Sequence, residues 1–541
     1  MTEFWPWVPI LSGAFLFLAW WRLLAYLRYF QQEGYEHVRF LRWTNVRSLT
    51  DPAFWLSVVS GFLFLADTLL AVVLFTVGTI VLALVQPDPR RSGKIPLRLT
   101  WRATRVFATA LVFTLAGYVL LIRLFMQTEV RAPLVAAAIM FAVLPLALIV
   151  ANAVLAPYEG SVQRTYYREA VDRLHRVAPF IVGITGSYGK SSSKAMLAHL
   201  LQFHAPTLAA TGSINTVMGV TRHLREDLVP GHRYLVVEMG AYAVGSIARL
   251  CALTPPAAGL ITAVGDMHLE RFGSTDVIRQ AKSELAQAVP AGGLLVVNAD
   301  SPNALAIGKQ FSDRRVLLYG EESREDLATR VEDVRFTKQG SHFVLRTGSR
   351  SYTCFTPVLG RPIVRNLAGA FTLATAVGAD PDVMVAAFRT LKPVSNRLEL
   401  VEDAGVIWIR DAYNSNQFGF RAALEVAADL PASRRFLVTP GVIELGAAQH
   451  DVNKALSREA AAVCDHTVVV ANANRQAFVE GHRDAGRDDR LVVVDNRTEA
   501  FAWLNEHLQD GDIVILENDL PDLYERSAGV FWPASQKAGA R

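Results

Sequence analysis

The distribution of apolar residues changes character near residue 157. Before that point they run in long blocks; after it they come in short bursts separated by polar, helix-forming stretches. The blocks cover residues 5–27, 53–86, 103–126 and 133–156. Three of them fit the ~20 residues that a helix needs to cross the hydrocarbon of a bilayer. The second is too long for one comfortable crossing and carries Asp67 at its middle: it is either one tilted helix extending beyond the bilayer or, as expected here, a tight hairpin or re-entrant pair with Asp67 at a polar tip. Charge favours the same reading. The connector 28–52 carries Arg28, Arg39, Arg42 and Arg47, and the connector 87–102 carries Arg90, Arg91, Lys94, Arg98 and Arg102. Basic connectors stay cytoplasmic, and only a hairpin keeps both on that side. Seven tryptophans in this half (Trp5, Trp7, Trp20, Trp21, Trp43, Trp55 and Trp101) suit interfacial anchors. The N-terminus lacks the features of a cleaved secretory signal and is read as retained.

From residue 179 the pattern is that of alternating strands and helices. "FIVGIT", "RYLVVEMG", "AAGLITAV" and "GLLVVNAD" read as buried strands of a parallel, doubly wound sheet. Residues 314–357 alternate polar and apolar around Gly340 and Gly348, predicting antiparallel hairpins laid on that sheet. "RRFLVTP", "TVVVANA", "RLVVVD" and "DIVILEN" predict a second, smaller Rossmann-like sheet. The expected organisation is an α-helical transmembrane region over 1–157, a central α/β ATP-binding domain over 158–392 and a C-terminal Rossmann-like domain over 393–541. A hinge is expected at 388–400.

Composition adds little. A mean hydropathy of +0.24 with 19% charged residues is too apolar for an ordinary soluble enzyme. The net charge of +4 over 541 residues gives no case for nucleic acid. Cys251, Cys354 and Cys464 stand singly, which excludes a disulfide framework or zinc cluster and suits a reducing compartment.

The chemistry starts at "VGITGSYGKSSSKAML", residues 182–197. A β-branched run, glycines, a lysine and serines outline a strand, a phosphate-cradling turn and a helix. Ile184 stands where the strict Walker pattern has its first glycine, leaving Gly186, Gly189, Lys190 and Ser191. Glycines let backbone N–H groups close on phosphate oxygens, the lysine neutralises their charge, and the serine can reach Mg²⁺. The start of the helix adds its positive end. Glu238 ends a hydrophobic strand, where an acid can hold a metal; His268 follows another strand, and Lys282 lies on the next helix.

These stretches resemble the Mur ligase family, ATP-dependent enzymes that join amino acids or peptides to a carboxylate, and most of all its D-alanyl-D-alanine-adding branch. "GITGSYGKSSSKAM", "TGSINTVMGV", "VVEMGAYAVGSIARL", "ITAVGDMHLERFGSTDVIRQAKSELA" and "VVNADSPN" carry the likeness, followed by Arg397 and "RDAYNSNQFGFRAALE". It covers about residues 178–541. The resemblance implies that an acyl phosphate forms from ATP and a carboxylate, and that an amine then displaces phosphate. It implies nucleotide contacts at Gly186, Ser187, Gly189, Lys190, Ser191, Ser192, Asn298, Asn366, Arg397, Asp411, Asn414 and Asn416. It also implies two Mg²⁺ ions held by Ser191, Glu238, His268 and a carbamoylated Lys282; the catalytic groups are Lys190, His268 and Lys282.

The departures from the family are specific. Its UDP-sugar-binding domain is replaced by the membrane half. Tyr188 replaces a small or amide residue, and Gln417 replaces a proline. The turns "TPGVIELG" and "ENDLPDLY" differ, the second placing Asp519 and Asp522 where the branch carries basic residues. The expectation is a multi-pass ligase of the inner membrane with cytoplasmic catalytic domains. It would join an amine, amino acid or peptide to a carboxylate of a cell-envelope precursor or polymer, with the bilayer and no nucleic acid among its partners. The alternatives are a capsule-type polyglutamate synthase and a non-catalytic membrane nucleotide sensor.

Overall fold

Capping residues and prolines divide the apolar blocks into helices. The computed structural model describes residues 6–44, 51–91, 96–125, 132–265, 272–393, 397–412, 416–443, 445–470 and 473–518. The described residues up to 162 form one unit and those from 163 onward another.

The first unit is helical: α1 (Trp7–Gln32), α2 (His37–Thr44), α3 (Pro52–Leu63), α4 (Thr68–Val85), α5 (Trp101–Phe125) and α6 (Ala132–Val177), the last running on into the second unit. The long stretch 53–86 is therefore two helices. Asp67 sits at the turn, where its carboxylate caps α4 by accepting from the Leu70 amide at 3.0 Å. Asp51 caps α3 in the same way, accepting from the Ala53 amide at 2.8 Å, and Pro52 takes the first helical position. Arg22 of α1, fully buried, joins the two ends of this helical pair. Its guanidinium makes an ion pair with Asp51 at 2.9 Å and donates to Gln86 Oε1 at 2.8 Å, and Gln86 Nε2 donates to the Trp21 carbonyl at 3.0 Å. Four helices, α1, α4, α5 and α6, are long and apolar enough to cross a membrane; α3, with 12 residues, is shorter.

The second unit contains two sheets. In the first, β1 (Phe180–Thr185), β2 (Thr207–Ala209), β3 (Tyr234–Glu238), β4 (Ala258–Ile261), β5 (Leu294–Asn298), β6 (Arg315–Gly320), β7 (Leu327–Thr337), β8 (Gly340–Thr347) and β9 (Arg350–Thr356) lie in the order β2-β3-β1-β4-β5-β6-β7-β8-β9. In the second, β10 (Glu399–Asp403), β11 (Val406–Asp411), β12 (Arg435–Thr439), β13 (His466–Val470), β14 (Leu491–Val494) and β15 (Ile513–Glu517) lie in the order β10-β11-β15-β12-β13-β14. Helices α7 (Lys190–Gln202), α8 (Val217–Asp227), α9 (Ser246–Leu253), α10 (Thr275–Ala288), α11 (Pro302–Gln310), α12 (Arg361–Ala376) and α13 (Pro381–Ala387) accompany the first sheet. Helices α14 (Gln417–Asp429), α15 (Gln449–Val463), α16 (Arg475–Asp484) and α17 (Arg497–His507) accompany the second.

One expectation needs correction. The antiparallel hairpins expected within residues 314–357 around Gly340 and Gly348 are present as β7–β8 and β8–β9, but they extend the sheet rather than lie on it. β6 pairs parallel with β5 and β7, and only β7, β8 and β9 are antiparallel. The hairpin β10–β11, which opens the second sheet, and the short β2 were not anticipated either. The expected hinge at 388–400 includes 394–396, outside the described residues. In the first sheet the chain leaves β1 towards β3 and β2 on one side, and β4 takes the other side. That reversal between β1 and β4 is where open α/β sheets bind ligands.

Removing one partner of a buried ion pair typically costs about 3–5 kcal/mol, whereas replacing both by apolar groups costs far less. Arg22→Met should therefore lower the temperature of heat-induced loss of helical circular dichroism in detergent. The double variant Arg22→Met/Asp51→Leu should recover much of the loss; additive losses would show that the clamp is not a unit.

Candidate active site

The loop after β1 is fixed by its neighbour β4. The amides of Ser187 and Tyr188 donate to the Ala263 carbonyl at 2.7 and 3.2 Å, and the Thr262 hydroxyl donates to the Tyr188 carbonyl at 2.6 Å. Ser187 Oγ donates to the Gly265 carbonyl at 2.9 Å. Gly186 has φ +151°, and a Cβ there would collide with the Thr262 hydroxyl. Gly189 has φ +80° and would collide with the Asn366 amide of α12. Both positions thus need glycine for backbone and for space. Lys190 begins α7 and lies across the loop, donating from Nζ to the carbonyls of Gly186 and Ser187 at 2.8 and 3.1 Å. At the start of α7 a helix leaves its first amides without partners of its own.

One acid and several lysines share the floor of this site. Glu238, buried at the end of β3, has Lys194 Nζ and Asn215 Nδ2 each at 3.4 Å from its carboxylate oxygens. Lys194 Nζ also donates to the Gly212 carbonyl. Ser191 Oγ lies 3.2 Å from Ser213 Oγ. Burial pushes Lys190 below the usual amine range, against the charge of Glu238, with Arg397 lowering it further. Lys282, on the buried face of α10, is held well below its ordinary value, first by burial and then by Lys190, with Glu284 and Glu238 opposing. Ser187, Lys190, Asn215, Tyr242 and Lys282 line a common small pocket. His268 lies outside the described residues, as does Asn414.

A cavity of about 250 Å³ opens between the two sheets. Seven of the expected nucleotide residues line it: Gly189, Ser192, Asn298 and Asn366 from the first sheet and its helices, and Arg397, Asp411 and Asn416 from the second. Gly186, Ser187, Lys190 and Ser191 adjoin this wall in the loop but do not line the cavity itself. Asp411 ends β11, and burial pushes its carboxyl up to about 6 against a backbone hydrogen bond from Leu398 and the charge of Arg397. Asn416 caps α14, its Oδ1 accepting from the Phe418 and Gly419 amides at 3.0 and 3.1 Å.

Several residues here were not singled out in the sequence, although Asp300 and Phe418 lie in stretches that carry the family likeness. Asp300, Arg365 and Phe418 line the cavity, with Arg365 Nη1 at 3.5 Å from Asp300. Tyr188 packs on Phe418 with ring centroids 5.2 Å apart. A tyrosine in a phosphate loop was visible as a departure, whereas its partner in the second sheet's helix was not. Lys194 stands one turn after Lys190 in "GKSSSK", a spacing that puts both on one helix face.

The turn after β12 is held by buried amides. Asn453 Oδ1 accepts from the Val442 amide at 2.9 Å, and Asn474 Nδ2 donates to the Pro440 carbonyl at 2.9 Å. Asn518 Nδ2 donates to the Gly441 carbonyl at 2.6 Å, tying the end of β15 to the same turn. Asp519 and Asp522 lie outside the described residues.

Known proteins place this architecture. The family model of the Mur ligase middle domain matches residues 184–374, and that of the Mur ligase, glutamate ligase domain matches residues 396–517. The chain is 34% identical over 268 residues to the UDP-N-acetylmuramoyl-tripeptide–D-alanyl-D-alanine ligase of Escherichia coli, covering 49% of this chain and 59% of that protein. It is 33% identical over 365 residues to the Mycobacterium bovis protein of the same name, covering 62% of this chain and 70% of the relative. Among solved structures, MurF from Acinetobacter baumannii aligns with a TM-score of 0.60 at 25% identity, over 67% of this chain and 78% of that one. The ADP complex of MurF ligase from Thermotoga maritima, at 23% identity, shares the fold with a TM-score of 0.60 over 66% of this chain and 80% of that one. With both domain models falling on the two sheets, and a relative one-third identical over most of its own length, the chain belongs to the Mur ligase family.

Proposed function

We propose that the protein is a membrane-anchored, ATP-dependent amide ligase acting on a carboxylate of a cell-envelope precursor or polymer at the cytoplasmic face. The observation that carries this is the convergence of seven nucleotide-type residues from two sheets on one cavity beside the phosphate loop. In the reaction, the terminal phosphoryl group of ATP passes to the acceptor carboxylate, giving ADP and an acyl phosphate. An amine then attacks the acyl carbon, phosphate leaves, and an amide remains. Lys190 and the first amides of α7 would orient the transferred group and offset its charge, the largest contribution that positioned donors make to such transfers. Arg397, Asp411 and Asn416 would meet the nucleotide from the second sheet.

The donor set fits Mg²⁺. Ser191 and Glu238 offer hard oxygens beside the loop, and His268 and Lys282 would serve a second ion. Mg²⁺ supplies charge neutralisation of phosphate oxygens when bound. Lys282 suits carbamoylation because CO₂ adds only to a neutral amine, and burial beside Lys190 favours that form.

Anchoring rests on the helical unit. α4 exposes Leu69, Leu70, Val73, Val77, Val81 and Leu84, and α5 exposes Val112, Leu115, Val119, Leu120 and Leu124. Apolar faces of that extent suit lipid rather than water. The relatives are named for D-alanyl-D-alanine, but this chain carries acids at 519 and 522, which suit a cationic or carboxylate-blocked amine.

Three outcomes are expected. In detergent, ADP release should need both an acceptor from lipid-extract or UDP-linked precursor pools and an amine, with a cationic amine giving the higher kcat/KM. Efficient, saturable use of D-alanyl-D-alanine overturns the amine assignment; no release with any pair overturns the ligase. Lys282→Ala should lose roughly 10²-fold or more of the rate, partly restored by short carboxylic acids, and a wild-type rate removes the carbamate. Because Cys251, Cys354 and Cys464 are all buried, single cysteines at Val38 and Arg91 should resist a membrane-impermeant thiol reagent in intact cells. One at Gln127 should react; labelling at 38 or 91 sinks the topology.

A further inference from the structure

A second cavity runs along α7, next to the one between the two sheets. It measures about 260 Å³, and Ala195, Met196 and His199 of α7 line it. With Ser192 these positions recur at i, i+3, i+4 and i+7, so they form one face of the helix. Leu359, Ile363 and Leu391 add further apolar lining. The wall is braced. His199 Nε2 donates to the Ala387 carbonyl at 3.1 Å and lies 2.9 Å from Thr390 Oγ1, which donates to the same carbonyl at 2.9 Å. Those bonds tie α7 to the end of α13 and the residues just after it. Lys392 and Arg397 complete the lining and bring two cations to it.

We propose that this cavity binds a small amphipathic carboxylate, a ring or short branched chain bearing one negative charge, and that its occupant weakens nucleotide binding next door. The chemistry of the lining sets the ligand class. Binding cavities are mostly apolar with a few placed polar groups that orient the ligand. Here the α7 face, Leu359, Ile363 and Leu391 suit the apolar body, and Lys392 suits the anion. Arg397 also faces Asp411, whose carboxyl its charge holds down. That leaves roughly one positive charge for the ligand, which a monoanion matches. Size sets the limit: an apolar cavity of about 150 Å³ accepts benzene, so 260 Å³ has room for a substituted ring. Ser192, Ile363 and Arg397 line both cavities. An anion in each would draw on the single charge of Arg397 and would repel the other. The coupling is reciprocal, so nucleotide weakens the carboxylate by the same factor. The site stands on its own geometry, and its effect on nucleotide rests on the ligase reading above.

The probe is 4-fluorobenzoate, followed by fluorine NMR line broadening on the full-length protein in detergent and compared with detergent alone. Wild type should bind it saturably. Ala195→Phe, which fills the cavity from an exposed position on α7, should weaken it about tenfold or more. Lys392→Glu, also at an exposed position, should weaken it by about as much through charge reversal. ADP affinity without the probe reports that each variant is folded. With the probe saturating, ADP should bind wild type about fivefold or more weakly, whereas Ala195→Phe should hold ADP equally well with and without it. No saturable binding by wild type overturns the proposal. Binding that Ala195→Phe leaves intact puts the probe elsewhere and overturns the site, since Ala195 does not line the nucleotide cavity. Binding that Lys392→Glu leaves intact overturns the carboxylate. An unchanged ADP affinity in wild type overturns the coupling and keeps the site. Wild type that takes no ADP at all sinks the ligase reading and the coupling with it, while the site still stands or falls on the probe.

Discussion

The arrangement rests on the grip that β4 has on the phosphate loop. Thr262 and Ala263, immediately past β4, hold residues 185–188 through one hydroxyl and one carbonyl. Strand order makes this possible, since only a β4 beside β1 brings those atoms under the loop. The grip engages the amides of Ser187 and Tyr188, and on the proposed reading phosphate would meet the start of α7, where a helix leaves donors unpaired. It also decides where Tyr188 points. Gly265 leaves the ring its space, since a Cβ there would stand 3.1 Å from it, and the ring reaches Phe418 of α14. That ring contact joins the phosphate loop to the second sheet's first helix, which Arg361 of α12 also holds through its ion pair with Glu425.

Charge is the second constraint. Lys190, Lys194 and Lys282 are each pushed below the usual amine range chiefly by burial, and Glu238 opposes the shift in all three. A buried cation is tolerated only when paired and hydrogen-bonded. Two carboxylates, Glu238 and Glu284, face three amines, so the site is short of negative charge. On the proposed reading, phosphates, a carboxylate acceptor and a carbamate would supply it.

How much of this was legible in the sequence depends on the range of the interaction responsible. β1, β3, β4 and β5 are short, buried, mostly apolar runs whose burial is local information, and all four were readable. The loop was readable because its glycines answer to positive φ and close approach. β6 was misassigned because alternating polar and apolar residues look alike in parallel and antiparallel edges; its partner β5 decides, and sequence does not name partners. β2 is three residues long and carries no periodicity. Asp67 was recognised as a turn because a carboxylate in an apolar block needs donors, and the next helix start supplies them. Arg22 was not singled out, since its role requires Asp51 and Gln86 to meet at one place. Lys194 reads as a solvated helix lysine until the 212–215 turn covers it. His268, Asn414, Asp519 and Asp522 were named from sequence and lie outside the described residues.

The family models begin at residue 184, so the helical unit has to be explained by physics rather than by likeness. On the proposed reading it replaces affinity with confinement. A domain that grips a soluble sugar nucleotide must offset the translational and rotational freedom lost on binding, several kcal/mol at a 1 M standard state. A ligase held at a bilayer meets a lipid-linked acceptor already confined to the same surface, and tethering of this kind gives effective concentrations on the order of millimolar for short links. The acceptor's head then needs only the orienting contacts at the phosphate loop and the Lys282 pocket. A soluble fragment starting near residue 163 should therefore keep its nucleotide affinity while losing turnover on a lipid-linked acceptor at low concentration. The same fragment would still work on a soluble analogue at high concentration, because confinement changes the encounter and leaves the chemistry alone.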